Sequence, residues 1–352
     1  MLKQLPYLLS LLIFFVSCEE VFMPSIDKIE GQLVVESLIT NDTAQNYVRL
    51  LKTFGFYDDK PQSKVEGARV SLVKNDGSSI VGIENSPGYF HFNTTPEVGQ
   101  KYKLKILFNN DIYESETVTM PPIPSVTNFY TGHVSVQEYI NDGYGNPVAH
   151  EIAGRELYVD IPITDELSHY RFKTSAVLEW YYLPPEIGPP PPPPPPPVYG
   201  WGKYYENGNF NIAGQEKFIL TEKIEKHPLM KLTYEPQTLI EPDSLPVGWI
   251  VILDEYGTSQ GSYDFHEKLN SQFDATGALF DPVETQIYGN ISCITDPSKR
   301  VFGYFDLNSH RQYRYYLFFS NRNAEVLPRE IFRYPHIPDR GQKMGTPPDW
   351  WE

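Results

Sequence analysis

The eight residues Lys101–Phe108 (KYKLKILF) alternate polar and apolar side chains through most of their length. Successive side chains of a strand point to opposite faces, so this pattern gives one wet face and one dry face. Outward from it lie further short runs of the same kind: Gln32–Ile39, Tyr47–Lys52, Ala68–Lys74, Tyr89–Asn93 and Ile112–Thr119. Asn75-Asp76-Gly77 and Asn109-Asn110-Asp111 separate some of them, and both are good hairpin turns. With 25 Tyr, 32 Pro and 24 Gly in 352 residues, the chain reads as all-β.

Helical signals are few. In Tyr263–Phe273 the apolar residues Phe265, Leu269 and Phe273 recur every four positions, which predicts one amphipathic helix. Glu325–Phe332 is expected to add a short helical turn. Pro121-Pro122-Ile123-Pro124 cannot continue a ladder and marks a boundary. The expected organisation is an N-terminal Ig-like or transthyretin-like β-sandwich over 26–120. A larger antiparallel β domain follows over 125–345, with one or two short helices, and 346–352 form a tail ending in Trp350-Trp351. Trp249, within Gly248–Ile252, is expected in the core.

At the N-terminus Lys3 precedes the nine-residue apolar run Leu8–Val16. A bilayer needs about 20 residues, so this run is too short to span and fits the core of a signal peptide instead. It ends in Phe15-Val16-Ser17-Cys18, which resembles a bacterial lipobox, although Phe15 stands where leucine is usual. The expectation is a signal peptide over 1–17, an acylated Cys18 and a tether over 18–25. With Cys18 acylated, Cys293 has no intrachain partner and is expected as a small buried hydrophobe. The formal charge is -16, which disfavours nucleic acid and anionic lipid surfaces. Membrane attachment would then come from the acyl chains.

Nine consecutive prolines, 189–197, are expected to form a polyproline rod of about 28 Å. Trp180, Tyr181 and Tyr182 precede it; Tyr199, Trp201, Tyr204 and Tyr205 follow. The rod reads as a rigid exposed loop between two strands. The alternative is a ligand presented to a partner, and the seven flanking aromatics are the candidate partner or ligand contacts.

Motifs for catalysis are missing: there is no G-x-S-x-G and no H-E-x-x-H. No two of the eight histidines stand two or four residues apart, so no metal or other cofactor is expected. His266-Glu267 is expected on the solvent face of the helix. The acidic candidates Asp58-Asp59, Asp160, Asp165-Glu166 and Asp254-Glu255 read as solvated turns or strand ends.

Gly67-Ala68-Arg69-Val70, Gly88-Tyr89-Phe90 and Gly99 followed by Tyr102 and Leu104 resemble the carboxypeptidase-regulatory-like β-sandwich. In order after them come Tyr263–Phe265, Gly277–Pro282, Gly289–Ser292 and Val301–Phe305. With Leu33–Thr40 and the lipobox, these resemble a Bacteroidetes lipoprotein family known only as domain of unknown function 4249. That resemblance implies an outer-membrane lipoprotein, facing the cell exterior, with a TonB-dependent outer-membrane receptor as a possible partner. It implies no reaction. The expected function is therefore non-catalytic binding of a ligand or partner. The alternatives are a structural accessory of an outer-membrane complex or a hydrolase with a cryptic site. Asp42-Thr43-Ala44 and Asp243-Ser244-Leu245 resemble Bacteroidetes O-glycosylation acceptors.

Overall fold

The computed structural model describes residues 31–54, 65–126, 128–182, 198–205, 210–215, 222–233, 245–274, 286–318, 326–329 and 343–344. Cys18, the proline tract, Asp58-Asp59, Asp243-Ser244, Gly277–Pro282 and Trp350-Trp351 lie outside them.

The first half contributes β1 (Leu33–Thr40), a 3-10 turn (Thr43–Gln45), β2 (Tyr47–Lys52), β3 (Arg69–Lys74), β4 (Ser79–Val81), β5 (Ile83–Ser86), β6 (Tyr89–His91), β7 (Lys101–Phe108), β8 (Asp111–Ser115) and β9 (Val118–Thr119). The second contributes β10 (Asn128–Asn141), β11 (Pro147–Pro162), β12 (His169–Tyr182), β13 (Val198–Tyr205), β14 (Asn211–Gly214), β15 (Lys223–Thr233) and β16 (Leu245–Gly257). An α-helix (Gln260–Asp274) follows, and then β17 (Ile291–Cys293), β18 (Val301–Tyr304), β19 (Leu307–Phe318), β20 (Val326–Arg329) and β21 (Lys343–Met344).

The alternation in Lys101–Phe108 does what it predicts. Tyr102, Leu104 and Ile106 are buried, and Lys101 is exposed. Opposite them on β3, Val70 and Leu72 are buried as well. At the hairpin between β7 and β8, Asn109 and Asn110 both take positive φ, 50° and 66°, as a primed turn demands. Gly77 (φ 84°) closes the β3–β4 turn.

Among the described residues three sheets make two cores. A six-stranded sheet runs β17-β8-β7-β3-β4, with β9 beside β7; a three-stranded sheet runs β10-β11-β15. A twelve-stranded sheet, β21-β13-β12-β16-β19-β1-β2-β6-β5 with three side strands, serves both cores. Its β1-β2-β6 end packs on the six-stranded sheet through Val35, Val48, Leu50 and Phe90. Its β12-β16-β19 end packs on the three-stranded sheet through Phe172, Trp249, Val251 and Leu317. The two ends meet where β1 runs parallel to β19 at Ile39↔Leu307 and Thr40↔Asn308.

The first core is not closed by its own stretch of chain. Ile291–Cys293 pairs with β8, and Val301–Tyr304 runs parallel to β1, far beyond the prolines at 121–124. Gly303 makes this pairing possible: its φ is 89°, and a Cβ there would meet the Val35 carbonyl oxygen. Cys293 is buried in that core, and Trp249 is 1% exposed in the other, as their apolar contexts predict. The expected helix is present. The expected turn at 325–332 is instead the strand Val326–Arg329 on β19; Pro328 has no N–H to give a helix and is tolerated on a short side strand.

Candidate functional site

A groove of about 920 Å³ opens near the junction of the two ends of the large sheet. That is near the top of the ~300–1,000 Å³ range of ligand pockets. One wall comes from β1, the 3-10 turn, β2 and β6: Leu38, Gln45, Tyr47 and Tyr89. The other comes from β12, β14, β15, β16 and β19.

Strand register builds the floor. Lys173, Asp254 and Gln312 are cross-strand neighbours on β12, β16 and β19, and Arg171, Tyr256 and His310 form the next row. These six therefore share one face, opposite Phe172, Leu253 and the second core. Tyr47 and Tyr89 stack with ring centroids 5.3 Å apart and planes 10° apart, and Tyr47 donates its hydroxyl to Glu36 Oε1 at 2.9 Å. The Phe210 side chain adds an exposed ring on the β14 side.

A buried polar network fixes this floor. Arg171 donates to Asp306 Oδ2 (2.8 Å) and to His266 Nε2 (3.0 Å), and its guanidinium lies 4.9 Å from the Tyr256 ring centroid. Asp306 also accepts from Ser262 Oγ at 2.6 Å, and its backbone bonds to Ser37 and Ile39 of β1. Arg171 thus ties the β12 end of the large sheet to its β1 end. The Tyr256 hydroxyl donates to Gln45 Oε1 at 2.8 Å, and burial holds its pKa far above the ordinary phenol value. His310 Nε2 lies 2.8 Å from Asp254 Oδ1, and its Nδ1 lies 3.8 Å from Asp42 Oδ2. Gln312 donates to the same Asp254 oxygen at 2.9 Å.

Ser262, His266 and Asp306 are near one another, yet they do not form a nucleophilic triad. His266 Nδ1 lies 2.8 Å from the Ser262 carbonyl, an acceptor, and so carries the proton; Nε2 then accepts from Arg171. The Ser262 hydroxyl donates to Asp306 and is 3.5 Å from Nδ1. The imidazole therefore does not take that proton, and the carboxylate that accepts the hydrogen bond is ion-paired with Arg171. Burial holds the His266 pKa below the ordinary imidazole value, with the Asp306 carboxylate pulling the other way.

Several sequence expectations change here. His266 does not face solvent. It is 6% exposed, because the helix packs this side on Arg171, while Glu267 is exposed as expected. Asp254 and Glu255 are not a solvated strand end. As neighbours in a strand they point to opposite faces, Asp254 into the groove floor and Glu255 into the second core. Glu255 is 0% exposed, and among the described residues neither oxygen has a hydrogen-bond partner; burial pushes its pKa up to about 8. Asp160 accepts from Tyr130 Oη and the Lys226 amide, while Asp165 and Glu166 are exposed. Asp42 caps the 3-10 turn by accepting from the Ala44 amide, with Thr43 beside it.

The aromatics flanking the prolines are brought together as backbone partners of one hairpin. Tyr181 pairs with Tyr199, Trp201 with Glu179, Tyr204 with Ala176 and Tyr205 with Ser175. Trp180 and Tyr182 lie in the same ladder, opposite Gly200 and Val198. The described lining of the groove comes from other residues; of these the sequence singled out Asp254, as a solvated strand end, and Ala44 and Tyr89 within motifs read for other reasons. Among the described residues no group of three or more His, Cys, Asp or Glu side chains is placed to hold a metal ion.

No curated protein and no solved structure matches the chain. One family model does match, described as Domain of unknown function (DUF4249), over residues 19–314. That span includes the first core, most of the second, both walls of the groove and the network beneath it, and the chain belongs to this family.

Proposed function

We propose that this is a non-catalytic, lipid-anchored outer-membrane protein that faces the cell exterior and holds a ligand in the groove between its two cores. The observation that carries the reading is the groove itself: a volume of about 920 Å³ with a stacked tyrosine pair on one wall and charged and amide side chains on its floor. Aromatic faces and fixed polar groups are the usual means of orienting a ligand. The network under the floor supports binding over turnover, since its hydroxyl and imidazole protons are committed to buried acceptors. The Ser17-Cys18 junction after the apolar run supports the anchor. The family resemblance supports work beside a TonB-dependent receptor, and it makes Thr43 a candidate for O-glycosylation.

The test is a calorimetric titration of the mature chain against a panel of oligosaccharides and peptides. The reading expects saturable binding without product formation. It expects at least a tenfold loss, about 1.4 kcal/mol, in Tyr89→Ala. Turnover of any panel member, or no binding across the panel, overturns it. Radiolabelled palmitate is expected on the wild-type chain and not on Cys18→Ala, and protease added to intact cells is expected to degrade the wild type.

A further inference from the structure

The last register pair between β11 and β15 is Gly154↔Thr233. Among the described residues the β10–β11 hairpin continues beyond it as a two-stranded ribbon, from Ser135↔Ala153 to Asn141↔Pro147. At ~3.4 Å per residue this stretch is about 24 Å long. Its turn is well built: the Asp142 carboxylate accepts from the Tyr144 and Asn146 amides at 2.8 and 2.9 Å, and Gly145 takes φ 85°. Every residue from 141 to 151 is exposed. Isolated two-stranded ribbons are at best marginally stable in water, so one of this length invites cover.

Register makes the ribbon two-sided. Val136 is opposite Ile152 and Ile140 opposite Val148, so one face carries two β-branched apolar pairs, with the Glu138–His150 pair between them. Gln137 opposite Glu151 and Tyr139 opposite Ala149 lie on the other face. Among the described residues β10 is also the edge of its sheet. Edge strands are commonly protected by lysine or proline, and Asn128–Asn141 contains neither.

Charge and size narrow the occupant. Residues 128–154 hold Glu138, Asp142 and Glu151 and no lysine or arginine, in a chain of net charge -16. A second copy would therefore be repelled. A two-stranded face of roughly 24 by 10 Å is also well below the ~1,200 Å² that stable interfaces bury. An extended cationic segment is complementary on both counts, because backbone pairing along the edge adds to the contact made by the face.

We propose that β10 accepts an added strand from a partner protein, a basic segment in which β-branched residues alternate with lysine or arginine. This does not depend on the groove. The test uses the full mature chain and two synthetic peptides of equal composition, one alternating valine and lysine and the other with the two in blocks. The alternating peptide is expected to bind and to slow hydrogen exchange of the 128–141 amides. Ile140→Lys with Val148→Lys, on the apolar face, is expected to weaken it about tenfold or more. Tyr139→Lys with Ala149→Lys makes the same charge change on the opposite face and is expected to have a much smaller effect. Equal losses in the two variants, equal binding of the block peptide, or protection elsewhere in the chain overturns the proposal. So does self-association of the chain, or its flotation with neutral phosphatidylcholine vesicles, if either is abolished by the apolar-face variant alone.

Discussion

Replacing Glu255 with glutamine keeps the size of the side chain and removes its titration. Glu255 sits at the core face of β16, opposite Phe172 and Arg311, with both oxygens unpartnered. Burial raises its pKa from an ordinary 4.5 to about 8, with the Arg311 charge opposing the shift. A raised carboxyl pKa means that the folded state keeps the proton while the unfolded state releases it. Stability is therefore full below pH 4.5, falls as pH rises towards 8, and is level above that. At 1.36 kcal/mol per unit the ceiling of this loss is roughly 5 kcal/mol, and the part falling between pH 5 and pH 8 is about 3 kcal/mol. Urea unfolding of wild type and Glu255→Gln at several pH values across that window measures it. Other groups titrate in both proteins, so the difference between the two slopes isolates Glu255. The variant's curve should be flatter by about 3 kcal/mol across the window. Parallel curves would mean that this carboxyl is solvated or paired in solution, and the reasoning would fail.

Arg171→Met strands the buried Asp306 carboxylate, and the loss expected in urea unfolding is about 3–5 kcal/mol; adding Asp306→Asn should recover part of it. Gly303→Ala should cost more than about 3 kcal/mol, because positive φ and a clash with the Val35 carbonyl act together. Gly99→Ala has the same sign of φ (79°) but open space around it, and about 1 kcal/mol is expected when the two variants are compared by urea unfolding. Burial lowers the His227 pKa to about 4, so its contribution is present above pH 6.5 and is lost as pH falls towards 4; His227→Gln should flatten the acid limb of the stability curve.

The strands were legible because their signal is local. Lys101–Phe108 writes its two faces in its own eight residues, and Asn109-Asn110 writes its turn. The helix was legible for the same reason. The groove was not, since Tyr47, Tyr89, Arg171, Asp254 and Gln312 come from five strands and meet only through register. His266 looked like a solvated residue because nothing beside it in sequence announces Arg171, which is 95 residues away. Glu255 looked like part of an acidic strand end, and only the pairing of β16 on both sides placed it inside. The flanking aromatics were noticed for their neighbourhood, the prolines, and the ladder they form says nothing about what they touch.

The parallel pairing of β1 with β18 and β19 sets a timetable for the chain. Ser37 and Asp306, hydrogen-bonded in the finished sheet, are 269 residues apart. Closing a flexible loop of that length costs about 5 kcal/mol of entropy before the contact it forms can offset it. An emerging chain therefore makes β2, β3 and β7 early, while one side of β1 stays open until the last third has been produced. During that interval the edge of β1 is the place where misassembly would begin. Truncation before residue 290 would hold the protein in that state, with an intact N-terminus and a first core that never finishes.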